Sequence, residues 1–75
     1  MNWNYRIVRH RYKNEEDWFA IHEVYYEADG KPKLVSKEPI APQGGDVEEL
    51  LKDMERQKEA CKLPVLDYAV FDGGE

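Results

Sequence analysis

A single helical segment has to serve a set of strands that are apolar on both sides. Asp46 supplies an N-cap acceptor and Glu49 stands three positions on, as in a capping box. Val47, Leu50, Leu51, Met54 and Cys61 recur at helical spacing, with Ala60 at the margin of the stripe. Pro64 disfavours helical backbone at Leu63 and so ends the segment. Glu48, Lys52, Asp53, Glu55, Arg56 and Lys62 fill the remaining surface as a solvated face does, and acids in the first turn with bases towards the last suit the helix dipole. One such helix covers one face of a sheet. The other face needs a different cover, and every packing of this chain has to meet that requirement.

The strands are read from parity. Trp3 to Lys13 holds no Gly or Pro, with Trp3, Tyr5 and Ile7 on one parity and Val8, His10 and Tyr12 on the other. After the polar run Lys13 to Asp17, the segment Trp18 to Glu27 is dense in aromatic and β-branched residues, and Asp29-Gly30 predicts a two-residue hairpin turn. A third strand is expected over Lys33 to Lys37. Pro39 and Pro42 then stop the ladder, because proline has no N–H to donate, and Gln43-Gly44-Gly45 makes a link to the helix. Val65 to Phe71 alternates as a fourth strand, and Asp72 to Glu75 reads as a frayed tail. The expected fold class is α+β: a three-stranded antiparallel meander, then the helix, then a fourth strand parallel to one of the others. This two-layer sandwich forms one domain over residues 1–75, since a chain of 75 residues supports one core.

Charge suggests the register. Placing Arg6 opposite Glu23 requires odd positions of the first strand to face even positions of the second. Trp3, Tyr5, Ile7, Trp18, Ala20, Val24 and Tyr26 then share one face, joined by Val35, and Val8, Phe19, Ile21, Tyr25 and Leu34 share the other. The helix is expected on the face of Trp3, Ile7, Ala20, Val24 and Val35. That leaves Val8, Phe19, Ile21, Tyr25 and Leu34 as an open apolar patch of the kind that marks an interface, with a homodimer as the economical way to cover it.

Composition narrows the function. Residues 1–13 carry four bases and no acid, while the rest holds seven bases and sixteen acids, for a net charge of −5. No segment is apolar enough to span a membrane, and the N-terminus has no apolar stretch or cleavage site, so the cytoplasm is the expected location. One cysteine, Cys61, excludes an intrachain disulfide and reads as a packing residue. No metal site and no cofactor are expected, and no nucleophile, base and oxyanion donor converge, so the chain is not expected to be an enzyme. His10 and His22 fall on different faces in the chosen register, and Ser36 has no base at a suggestive spacing. The alternative reading is a single-stranded RNA or DNA interface built from Arg9, Arg11, Tyr12 and Lys13, opposed by the acidic run Glu15 to Asp17 directly beside them.

The stretches Asn2 to Arg6, Trp18 to Tyr26, and Glu48-Glu49-Leu50 through Pro64 to Asp67 resemble a family of small bacterial proteins for which no activity is established. The order of elements, with Gly44-Gly45-Asp46-Val47-Glu48-Glu49-Leu50 opening the helix, is also similar to the HicB-like antitoxin domain, a partial ribonuclease-H-like fold. That resemblance implies strand order 3-2-1-4 with the fourth strand parallel to the first, and a non-catalytic role as a protein partner. Antitoxins of that kind usually carry a C-terminal DNA-binding module, whereas the sequence given ends at Glu75.

Overall fold

The computed structural model describes residues 2–11 and 16–71; Tyr12, Lys13 and the expected tail Asp72 to Glu75 lie outside them. Strands β1 (Trp3–His10) and β2 (Trp18–Tyr26) pair antiparallel with Arg6 opposite His22, Tyr5 opposite Glu23 and Val8 opposite Ala20. The expected Arg6–Glu23 pairing is therefore wrong by one residue. Residues of equal parity face each other, and one slip moves every side chain of β1 to the other set. Val8, Val24 and Val35 come together as a result, all buried, with Phe71 completing the cluster. The two charges that suggested the other register find separate partners. Arg6 donates to the Tyr26 hydroxyl and to the Pro64 carbonyl, and Glu23 accepts from the Tyr25 hydroxyl on the opposite face.

Strand β3 (Pro32–Val35) pairs antiparallel with β2, placing Val35 opposite Val24 and Leu34 opposite Tyr25 as expected. The route to that pairing differs from a two-residue turn. Gly30 N–H donates to the Glu27 carbonyl, Gly30 adopts φ 90°, and Glu27 N–H bonds the Lys31 carbonyl, which leaves three residues in the loop. A register shift between Tyr25 and Tyr26 restores the pairing that a shorter turn would give directly. Beyond β3 the chain stays beside β2, where Ser36 N–H bonds the Glu23 carbonyl and Ile40 N–H the Ile21 carbonyl.

Helix α1 (Val47–Glu59) begins as its sequence dictates. Asp46 accepts from Glu49 N–H at 2.8 Å, and the Glu49 carboxylate reaches back to Gly45 N–H at 2.9 Å, one residue further than the usual capping box. A short 3-10 segment, Ala60–Lys62, extends the helix to the proline. The expected fourth strand, Val65 to Phe71, shrinks to β4 (Leu66–Asp67), parallel to β1, and a second 3-10 turn follows at Tyr68–Phe71. The sheet is thus mixed, in the order β3-β2-β1-β4.

Its layers depart from a plain two-layer sandwich. Tyr5 donates to Asp53 on α1, so the helix lies on the face of Trp3, Tyr5 and Ile7 as expected of β1, whereas Ala20, Val24 and Val35, expected on that same face, lie on the other one. The Val8 face is closed instead by Leu66, Tyr68 and Phe71 from the chain after the helix. The second cover that the sequence demanded is thus supplied by the residues that an alternating pattern would have made a strand.

Two substitutions test the helix start. Asp46→Ala should lower the urea-unfolding free energy by about 1 kcal/mol, because a first-turn N–H loses its acceptor. Gly44→Ala should cost about 1–3 kcal/mol, since a Cβ there would run into the Leu50 backbone nitrogen and force the link away from the helix.

Candidate functional site

The observed register collects polar side chains at one end of the Val8 face. His10 and Trp18 are directly paired, and His22 follows on the same face with only the small Ala20 between it and Trp18. The two imidazoles meet with Nε2 to Nε2 at 3.0 Å. The expectation that they point to different faces fails for the same reason as the Arg6–Glu23 pairing, and the contact had no signal apart from the parity of the first loop. His10 is stacked on Trp18 at a centroid distance of 4.4 Å and on Tyr68 at 4.7 Å.

Hydrogen bonding fixes the protons. The Ser36 hydroxyl donates to the Glu38 carbonyl at 2.8 Å, so towards His22 it acts as an acceptor, as the Ser36 carbonyl must. His22 Nδ1 therefore carries a proton, and of the two facing Nε2 atoms one donates and the other accepts. His22 is 0% exposed and ties β2 to the segment after β3. Burial depresses the His10 pKa below its ordinary value; His22 adds to that and Asp67 opposes it.

Beside the pair lies a cleft of about 460 Å³, with Trp18 and Tyr68 on its walls and Arg11, Lys37 and Asp67 among its rim residues. Asp67 accepts from Ala69 N–H at 3.0 Å, from Arg11 Nε at 2.6 Å and from Arg9 Nη2 at 3.4 Å. Its pKa is held below the usual carboxylate range, first by the Ala69 amide and then by Arg11. Arg9 and Arg11, the described half of the expected nucleic-acid contact, are thus paired with an acid of β4. Among the described residues no three His, Cys, Asp or Glu side chains gather as metal ligands. Ser36 is committed as a structural hydroxyl.

The expected apolar interface is divided. Val8 is 0% exposed and belongs to the core on the opposite face, while Phe19, Ile21, Tyr25 and Leu34 share the helix-bearing face, with Phe19 54% exposed. The helix orientation adds a part that parity alone misassigned. α1 turns Leu50, Asp53, Gln57 and the following Ala60 inward, and Asp53 accepts from Tyr5 at 2.9 Å and from Gln43 N–H at 2.9 Å. The Gln43 amide first, and the Tyr5 hydroxyl after it, lower the Asp53 pKa, while burial and the same contact raise that of Tyr5. Val47, Leu51 and Met54, expected in the core, are exposed at 80%, 54% and 49%, and Cys61 is exposed and free. No helix among the described residues is long and apolar enough to cross a membrane. No family model, curated protein or solved structure matches the chain.

The histidine pair predicts a stability limb. With the folded His10 pKa below its unfolded value of about 6.5, the unfolded chain binds the proton first, so stability falls as pH drops through the interval between the two values and is level above it. Urea midpoints should be lower at mildly acidic pH than at neutral pH, and His10→Gln should flatten that slope. Asp53 and Asp67 act in a separate, more acidic window, because their depressed pKa values hold their contribution until pH falls through them.

Proposed function

We propose that this chain is a non-catalytic protein-interaction module of the cytoplasm that associates with itself through the side of the molecule carrying α1. One observation carries the reading: the helix packs polar Asp53 and Gln57 against its own sheet and presents Val47, Leu51 and Met54 to the outside. A helix whose apolar stripe faces away from its own core gains nothing from that stripe as a monomer. Burial of each such side chain contributes roughly 1.5–3 kcal/mol when a partner supplies the other surface.

Phe19 and Leu34 on the same side of the sheet, with the aromatic Tyr25 beside them, add anchors of the type interfaces favour. A second copy of the chain is always present at the protein's own concentration, and two-fold pairing is the commonest closed symmetry. The resemblance to HicB-like antitoxin domains, whose role is to bind a protein, supports the same class of function.

Light scattering at micromolar concentration should give twice the 8.9 kDa of the chain. Leu51→Asp should weaken the association while leaving the far-ultraviolet dichroism intact, whereas Val24→Asp, in the closed core on the other face, should unfold the protein. A mass of one chain for the unmodified protein at those concentrations rejects self-association.

A further inference from the structure

The charges around the exposed stripe define how the second copy sits. We infer that two copies join through α1 against α1 in antiparallel orientation about a two-fold axis near Lys52 and Asp53, an inference that rests on the self-association reading above. Val47, Leu51, Met54 and Lys58 follow one another at three- and four-residue spacing and form a line along the helix, the first three of them apolar and exposed. Reversing the line about its middle sets Leu51 against Met54 of the other copy, twice. Val47 then meets the aliphatic stem of the opposing Lys58, whose ammonium stays in water.

The flank on the solvent side of this line carries Glu48, Lys52 and Glu55. The two-fold axis of an antiparallel pair brings like flank to like flank. In the antiparallel arrangement Lys52 of each copy stands near Glu55 of the other, and Glu48 comes near the opposing Lys58; Glu59, on the same flank, is paired with Lys62 of its own chain. A parallel arrangement instead sets the two acidic first turns side by side and the two basic last turns side by side, which is repulsive at both ends. The helix ends agree, because the acidic first turn, Glu48 and Glu49, lies against the basic last turn, Arg56 and Lys58. The stripe is thus complementary to itself reversed, as an isologous contact requires.

Cys61 separates the two orientations in the unmodified protein. Parallel helices bring the two thiols together, while antiparallel ones hold them roughly 25 Å apart at 1.5 Å rise per residue. The experiment is sedimentation equilibrium of five proteins, the unmodified chain, three charge variants and Leu51→Asp, with non-reducing electrophoresis after mild oxidation. Lys52→Glu and Glu55→Lys should each weaken association about tenfold through two repulsive contacts, and the double variant Lys52→Glu/Glu55→Lys should recover it, because both reciprocal pairs are restored with reversed sign. All these positions are exposed on α1, so dichroism should stay unchanged. The unmodified dimer should resist cross-linking through Cys61.

A dimer that is indifferent to all three variants and to Leu51→Asp overturns the helix seam and leaves self-association through the Phe19 and Leu34 side. A dimer readily joined by a Cys61–Cys61 disulfide overturns the antiparallel orientation. Monomeric unmodified protein overturns the association reading itself, and the seam with it.

Discussion

The pairing of β1 with β2 at Arg6 opposite His22 governs the rest of the structure. It alone decides which apolar residues share a face, because side chains alternate strictly along a strand. With this register Val8, Val24 and Val35 form one patch, and the residues after α1 close over it with Phe71 and Leu66. The competing register offered one ion pair, Arg6 with Glu23. Partly exposed pairs of that kind contribute about 0–1 kcal/mol, whereas closing a cluster of valines contributes several times as much, so the apolar grouping wins. Long polar side chains then adapt: Arg6 reaches a tyrosine and a carbonyl, and Glu23 a different tyrosine.

The same register fixes the role of the helix. The face it covers presents Tyr5, whose hydroxyl needs a polar partner when buried, and Asp53 supplies one. Asp53 also receives the Gln43 amide, so link, helix and first strand meet at one carboxylate. Holding that contact inward rotates Val47, Leu51 and Met54 outward. An exposed apolar stripe is therefore a consequence of a polar anchor, and the interaction surface follows from how the helix is held.

At the other end of the molecule, His10 and His22 join β1, β2 and the segment after β3, and Tyr68 stacks on His10 from the C-terminal turn. Four parts of the chain converge on two hydrogen-bonded rings. Such a contact specifies the closure of the Val8 face more sharply than apolar packing does, and it ties that closure to pH.

Local chemistry was legible in the sequence because it is decided within a few residues. The Asp46 cap, the stop at Pro64 and the alternation within the first two strands follow from steric and hydrogen-bonding rules of short range. The choice among alternatives that differ by one residue was not legible. A slip in β1 relative to β2 changes no local preference, yet it exchanges the faces, buries Val8, unites the histidines and divides the expected interface. In the same way, Val65 to Phe71 alternates like a strand, but only two of its residues find a neighbour to pair with, and the remainder fold over the open face as a 3-10 turn. The sequence by itself determined the first three strands and the helix, and where the helix begins. The tertiary structure decided which faces meet and which stripe stays outside, because those choices depend on the summed burial of residues far apart in the chain.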